Sequence, residues 1–204
     1  MPTSFPRIAF TASVRAQQEK HGSRRQYERM EAMRAEDGLT DREVEFISGR
    51  DSFYMATAGE NGYPYVQFRG GPRGFLKALD AHTLAYADFR GNRQYISVGN
   101  LEKNSRAALI LMDYANRRRL KIYATIETRD ASEAPELIAT LADPGYPAVV
   151  ERAMLLRVDA FDWNCPQHIV PRYTLEEVQA ASEPLHARIK ELEREVKRLK
   201  PGPS

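Results

Sequence analysis

One stretch of alternating apolar and polar residues constrains the fold of this chain most. Between positions 119 and 126, Arg, Lys, Tyr and Thr alternate with Leu, Ile, Ala and Ile. Because successive side chains of a β-strand point to opposite faces, this pattern predicts a strand with one buried and one polar face. Five further strands are expected at 53–58, 65–69, 83–87, 107–113 and 149–161, with a hairpin turn at 59–62. Six strands with mostly short connections favour an antiparallel barrel over a doubly wound parallel sheet.

Helical segments are predicted on both sides of the strands. Residues 11–48 are rich in Arg, Glu, Gln, Ala and Met and predict two or three short helices. The last of these begins at a capping box formed by Thr40 and Glu43. A further helix is expected over 132–142, with Pro135 in its first turn. The predicted fold is therefore mainly β with helical extensions (α+β): an N-terminal helical extension at 1–50, a barrel domain at 51–172 and a C-terminal helix at 173–204.

The C-terminal helix has a heptad pattern. It follows a second capping box, Thr174 with Glu177, and its apolar residues are spaced four, three, four and three apart. These residues are Leu185, Ile189, Leu192, Val196 and Leu199. Such spacing is typical of a coiled-coil seam, but two heptads alone are marginal. The helix either packs on its own domain or pairs with another subunit.

Composition limits the classes of function. The 204 residues suffice for one domain with extensions, and the net charge of +2 argues against a surface-wide nucleic-acid footprint. Cys165 is the single cysteine, which excludes an intrachain disulfide and fits a reducing cytosol. No apolar run reaches the length of a membrane span, and the first ten residues lack the core of a secretory signal. We expect a cytoplasmic protein that binds neither membrane nor nucleic acid.

The string DFRGNRQYISVGNL, residues 88–101, combines arginines and glycines between a strand and a short helix that Gly99 is expected to end. The first N–H groups of a helix have no intrahelical partner, so an anion can bind there. Arg90 or Arg93 could clamp phosphate oxygens, and Arg69 is a third candidate cation. A surface turn with solvated arginines explains the string equally well. It matches neither the GxxxxGK[ST] nor the GxGxxG phosphate-binding pattern.

Several strings together resemble one family. FYMATAGENGYPYVQFRGGPRGFLKAL, YADFRGNRQYISVGNL, RRRLKIYATIE and FDWNCPQHIVPRY occur in order between about 51 and 172. They resemble the pyridoxamine 5'-phosphate oxidase-like, FMN-binding split-barrel family, in its less characterised members and not the vitamin B6 oxidase itself. The C-terminal Trp-containing and Arg-x-His substrate pattern of that oxidase is not found. The resemblance implies a six-stranded split β-barrel that forms a homodimer with FMN at the subunit interface.

The resemblance also implies a set of cofactor-binding residues. The strand beside the isoalloxazine ring would supply Val66, Gln67, Phe68 and Arg69. The segment at the phosphate and ribityl chain would supply Ala87, Asp88, Arg90, Asn92, Arg93 and Gln94. Trp163, Asn164 and Gln167 would lie over the flavin, with the neighbouring subunit as one source; for Trp163, ordinary core packing is the alternative. Arg119 would reach the FMN phosphate or the 2'-phosphate of NADPH across the interface, and a solvated loop end is its alternative.

No catalytic acid or base stands out. His168 is a weak candidate for proton delivery, and a structural hydrogen bond explains it at least as well. The other three histidines are scattered, so no metal site is expected. The leading hypothesis is an FMN-dependent oxidoreductase that uses NAD(P)H or another donor and an unidentified small molecule. A flavin carrier, sensor or stress-related module is the alternative, an interaction protein without flavin is a third hypothesis, and F420 or haem could replace FMN.

Overall fold

A computed structural model describes residues 4–33, 38–163 and 166–199 of the chain. Its strands are β1 Ser52–Ala58, β2 Pro64–Gly70, β3 Lys77–Ala78, β4 Thr83–Phe89, β5 Arg106–Asp113, β6 Arg118–Asp130 and β7 Val150–Trp163. Its helices are α1 Phe5–Ala9, α2 Ala12–Lys20, α3 Arg24–Met33, α4 Asp41–Ser48, α5 Ile96–Lys103, α6 Pro135–Leu141 and α7 Leu175–Leu199. The predicted mainly-β fold with helical extensions is confirmed. The six predicted strands are joined by β3, whose two residues are too short to give a sequence pattern.

The strands form one antiparallel sheet in the order β2-β1-β5-β6-β7-β4-β3. The hairpin of β1 and β2 pairs Ser52 with Gly70 and Ala58 with Pro64. Its turn contains Gly62 at φ 82°, a left-handed backbone conformation that glycine adopts without a steric penalty. The predicted hairpin and its turn are therefore confirmed.

The sheet curls so far that its two ends meet through side chains. Strands β1 and β4 are four steps apart in the sheet, which would separate them by about 19 Å if the sheet were flat. The rings of Phe53 on β1 and Tyr86 on β4 nevertheless lie 5.4 Å apart. Within the described residues β2 pairs with β1 alone. Side-chain packing, and not a ladder of hydrogen bonds, thus closes this barrel.

The main core fills the inside of the curled sheet. It contains fully buried side chains from five strands, among them Met55, Leu84, Leu111, Ile122 and Leu156. Helix α4 covers one end of the core and buries Phe46 and Ile47 there. Its predicted capping box is present, because the Glu43 carboxylate accepts a hydrogen bond from the Thr40 backbone N–H.

The prediction of two or three helices over 11–48 is confirmed, since the described residues of that range form α2, α3 and α4. Two other helical predictions need correction. Gly99 does not end a helix, because α5 runs through it to Lys103, with Leu101 buried on its inner side. The alternative that the C-terminal helix packs on its own domain is wrong, since no described residue of α7 is buried. Pro135 does lie in the first turn of α6, as expected.

Candidate functional site

The seam of the barrel contains a buried carboxylate held by two guanidinium groups. Asp88, near the end of β4, is 4% exposed. One carboxylate oxygen accepts a hydrogen bond from Arg69 on β2 at 2.7 Å, and the other accepts one from Arg152 on β7 at 2.8 Å. Arg152 lies directly opposite Asp88 in the β4–β7 register, whereas Arg69 reaches Asp88 from the other end of the sheet. Two cations on one anion leave this cluster with a net positive charge.

Arg69 carries a donor that has no partner. Its Nε atom is buried and forms no hydrogen bond with any described residue. A buried donor without an acceptor costs about 1–3 kcal/mol, so an incoming acceptor would relieve this cost. The Arg69 side chain also lines two adjoining cavities of about 210 and 560 Å³. Volumes in this range suit a small-molecule ligand. We call these two cavities together the seam cleft.

The loop that follows β4 forms one wall of the seam cleft. Arg93 and Tyr95 have φ angles of 62° and 54°, so the chain turns sharply here before α5 begins. A side chain added at Gly91 would meet no atom within 4 Å, which leaves its backbone open to the cleft. Arg93 is exposed, and its side chain forms no ion pair with any described residue.

Contacts with the start of β7 fasten this loop. The Glu151 carboxylate accepts hydrogen bonds from Arg90 at 2.9 Å and from the Tyr95 hydroxyl at 3.1 Å. The Arg152 guanidinium lies 5.3 Å from the centre of the Tyr95 ring. The hydrogen bond from Arg90, supported by that from Tyr95, lowers the pKa of Glu151 against the opposing effect of desolvation. Glu151 therefore stays ionised and keeps the loop in place.

The alternation of β2 divides its residues between two surfaces. Gln67 and Arg69 face the seam cleft, and the Gln67 carbonyl oxygen accepts a hydrogen bond from Ser97 at 2.9 Å. That contact leaves the two N–H donors of the Gln67 amide available. Val66 and Phe68 point to the outer face, where they are 61% and 58% exposed. Phe68 also lies at the rim of the larger cavity, whereas Val66 lines a separate apolar depression.

The structure brings most of the predicted phosphate and ring residues together. The side of the seam cleft next to the loop is lined by Gln67, Arg69, Asp88, Asn92 and Arg93. The larger cavity adds Phe68, Ala87 and Arg90. Gln94 is exposed, does not line either cavity, and uses its backbone N–H to bond the Asn92 side chain at 3.2 Å.

Trp163 lies away from the seam cleft within one chain. It ends β7, the strand on which Arg152 lies eleven positions earlier. Its indole N–H donates to the Glu43 carboxylate at 2.6 Å, and its ring packs edge-on against Phe46 at 4.8 Å. Desolvation opposes ionisation of Glu43, but hydrogen bonds from Thr40 and Trp163 outweigh it and lower the pKa of Glu43. Within its own chain, Trp163 therefore joins β7 to α4, in agreement with the alternative that it packs in the core.

The other predicted residues that the structure describes do not reach the seam cleft of their own chain either. Arg119 lies on β6 opposite Met112, and its Nε atom is buried without a partner among the described residues. Gln167 and His168 are exposed in the segment that follows β7. Asn164 lies outside the described residues. A contribution of these residues from a second subunit stays a prediction.

Among the residues of the seam cleft that were not predicted from the sequence are Tyr95, Ser97, Glu151 and Arg152. Arg152 and Glu151 lie at the start of β7, about sixty residues from the loop they contact. The pairing of Asp88 with Arg152 follows from the strand register, which includes an irregularity between Asp88 and Phe89. Opposite charges on adjacent strands were the available signal, but they are informative only once the register is known.

Two further properties concern the described residues alone. Over 4–33, 38–163 and 166–199, no three His, Cys, Asp or Glu side chains are close enough to hold a metal ion. Over the same ranges, every helix is too short or too polar to cross a bilayer.

A curled antiparallel sheet with a basic cleft at its seam places the chain among the split-barrel proteins. More specifically, it belongs to the pyridoxamine 5'-phosphate oxidase family, whose model matches residues 39–159, more than half of the chain. The family expected from the sequence strings is thereby confirmed.

Several solved structures are similar to part of this chain. A candidate pyridoxamine 5'-phosphate oxidase from Lactobacillus delbrueckii is 21% identical, with a TM-score of 0.47 over 62% of this chain and 94% of that one. An FMN-binding protein from Syntrophomonas wolfei is 14% identical, with a TM-score of 0.45 over 72% and 97%. An F420 reductase is 18% identical, with a TM-score of 0.42 over 58% and 95%. No curated protein matches the chain.

Proposed function

We propose that this protein is an FMN-dependent oxidoreductase that acts on an unidentified small molecule. The observation that carries the proposal is the seam cleft itself. A pair of guanidinium groups bridged by Asp88 lines it. Arg69 presents an N–H there that bonds to no described residue, and Arg93, which forms no ion pair with a described residue, lies on the adjacent loop. These groups suit a phosphate monoester better than a neutral ligand.

The charge balance of the cleft supports an anionic ligand. Four guanidinium groups surround it, from Arg69, Arg90, Arg93 and Arg152. Three carboxylates, Asp51, Asp88 and Glu151, oppose them. The difference is one positive charge, which favours an anion such as a phosphate monoester, whose charge is about −1.5 to −2 at neutral pH. The open backbone at Gly91 lets such a group approach closely.

The remaining lining fits a flat, partly polar ring. Phe89 and Tyr146 border the larger cavity with their rings 5.0 Å apart, and Phe68 lies at its rim. The free N–H donors of Gln67 suit the carbonyl edge of an isoalloxazine ring. When bound, FMN supplies hydride transfer between a donor and an acceptor. The residues of the chain would bind the phosphate, orient the ring and cover one of its faces.

The proposal includes a homodimer. Val66, Phe68 and Tyr54 form an exposed apolar surface on β1 and β2, on the opposite side of β2 from Gln67 and Arg69. Exposed apolar surface of this kind is typical of subunit interfaces. A second copy on this surface would lie next to the seam cleft. It could then contribute the predicted Arg119, Trp163, Asn164 and Gln167.

Comparison of FMN with riboflavin tests the phosphate site. We expect the protein stripped of ligand to bind FMN at least about ten times more tightly than riboflavin, measured by quenching of flavin fluorescence. Arg93→Ala should remove roughly ten-fold of the FMN affinity and leave riboflavin binding unchanged, because one charge-assisted hydrogen bond contributes about 1.5–3 kcal/mol. Arg106→Ala, an exposed arginine away from the cleft, is the matched control. Equal affinities for FMN and riboflavin would contradict the phosphate site.

A second experiment tests turnover and cofactor identity. Mass analysis of the small molecule that copurifies with the protein distinguishes FMN from F420 and haem. Anaerobic addition of NADPH or NADH should bleach the bound flavin, and an added acceptor should restore its colour. A flavin that stays oxidised with every donor tested would favour the carrier or sensor over the enzyme.

A further inference from the structure

Helix α7 presents a long apolar stripe that no described residue of its own chain buries. The stripe begins before the five heptad residues noted in the sequence, because Leu175 and Val178 continue it toward the start of the helix. Leu175 is 72% exposed and Leu185 is 66% exposed. At 25 residues, α7 is about 37 Å long. An apolar stripe of this length in water indicates a missing partner.

The residues of the stripe follow one heptad register from end to end. Its a positions are Leu175, Ser182, Ile189 and Val196, and its d positions are Val178, Leu185, Leu192 and Leu199. Branched Ile and Val at a, with Leu at d, favour two parallel strands in a coiled coil. The second half of α7 has this combination in both of its heptads.

Charges beside the stripe favour the same arrangement. Arg188 occupies a g position and Glu193 the following e position. Two parallel helices in register place Arg188 of one beside Glu193 of the other, twice by symmetry. Two antiparallel helices with all layers overlapped would instead bring the two Arg188 side chains together. In the single chain, Arg188 bonds Glu191 of its own helix at 2.6 Å, with both side chains more than half exposed.

The polar and helix-breaking residues of α7 are compatible with this pairing. The Ser182 hydroxyl donates to the Gln179 carbonyl at 3.0 Å, so it would not be left without a partner inside a seam. Pro184 has no N–H to donate to the Ala180 carbonyl. Pro184 and Ala180 fall at the outer c and f positions, where water can bond that carbonyl.

We propose that α7 binds the α7 of a second copy of this chain as a parallel, in-register, two-stranded coiled coil. The second copy is the occupant that the register and the charges select. The proposed interface is separate from the exposed face of β1 and β2, and it does not depend on a bound flavin.

Disulfide trapping tests the orientation directly. In a Cys165→Ser background, Ser182→Cys places two thiols in the same a layer if the helices are parallel and in register. We expect mild oxidation of the full chain to crosslink this variant at least about ten times faster than Ala187→Cys, whose outer f position is the matched control. Equal rates would overturn the proposal. So would faster crosslinking between separate Ser182→Cys and Leu192→Cys chains, which face each other in the antiparallel arrangement.

A charge exchange provides an independent readout. Adding Arg188→Glu to the Ser182→Cys variant should slow its crosslinking, because the new carboxylate faces Glu193 of the second copy with a like charge. Adding Glu193→Arg to the same chain should restore the original rate. Both positions are exposed and distant from the barrel core, so the variants should fold normally. If the rate stayed as slow with Glu193→Arg as without it, the proposed pairing would be overturned.

Discussion

Replacement of one carboxylate oxygen of Asp88 by an amide nitrogen is the single-atom change with the largest expected effect on stability. Asp88→Asn keeps the shape of the side chain but removes its charge. The Arg69 and Arg152 side chains that it holds are 13% and 12% exposed. Without the Asp88 charge, no described carboxylate would pair with Arg69, and Arg152 would keep only Glu151 at 3.4 Å and Asp130 at 3.9 Å. Loss of one partner from a buried ion pair costs about 3–5 kcal/mol. The lower end applies here, since the amide oxygen still accepts one hydrogen bond.

The free energy of unfolding measured in urea should therefore fall by about 3 kcal/mol in Asp88→Asn. For a chain of this length, the melting temperature should fall by roughly 6–12 °C. Asp130→Asn is the matched control, because Asp130 contacts the same Arg152 at 3.9 Å but is 67% exposed. It should change stability by less than about 1 kcal/mol.

Phosphate gives the experiment a second readout. At constant ionic strength, inorganic phosphate should recover more stability in Asp88→Asn than in the parent protein, because an anion in the cleft can replace the lost charge. If Asp88→Asn were as stable as Asp130→Asn, the buried ion cluster would not support the barrel. If phosphate had no differential effect, the cluster would not be an anion site.

Three other perturbations have defined outcomes. Glu43→Gln should destabilise the protein at neutral pH, and its deficit should shrink as pH falls through the lowered pKa of Glu43; a pH-independent deficit in urea titrations would contradict this. Trp163→Phe should lower the free energy of unfolding by about 1–3 kcal/mol, because the hydrogen bond from the indole N–H to Glu43 is lost. The double variant Glu43→Gln/Trp163→Phe should lose less stability than the sum of the two single variants. Strictly additive losses would show that the two side chains are not energetically coupled. Gly74→Ala should destabilise by about 1–2 kcal/mol, since Gly74 has φ +78° and an added carbon would lie 3.1 Å from the Ser48 carbonyl oxygen. Gly99 lies inside α5 with open space around it, so Gly99→Ala should instead stabilise the protein by about 0.5–1 kcal/mol. Equal melting temperatures for Gly74→Ala and Gly99→Ala would contradict this difference.

The strands could be predicted because their signals are local. Alternation over 119–126 and the turn residues of the first hairpin each depend on neighbouring positions alone. Helix ends were less predictable. Gly99 was expected to end α5, but a glycine inside a helix costs only about 1 kcal/mol, and burial of Leu101 on the inner side offsets it.

The candidate site was predicted only in part, because its residues come from three strands that are far apart in the sequence. Arg69 and Asp88 lie in strings with recognisable composition, so the sequence indicated both. Arg152 has no such string, and its role depends on the β4–β7 register. For Trp163 the sequence left packing and cofactor contact open, and the bond to Glu43 depends on a fold that brings together residues 120 positions apart.

Because side chains close the barrel, a ligand bound in the seam cleft would also affect how firmly the barrel stays closed. Separation of β2 from β4 would break no backbone hydrogen bond between them, because none joins these strands among the described residues. The ion pair of Arg69 with Asp88 spans this gap and also lines the cleft. A molecule bound in the cleft would hold β2 and β4 together. Without it, these two strands would be able to separate while the rest of the sheet stayed folded.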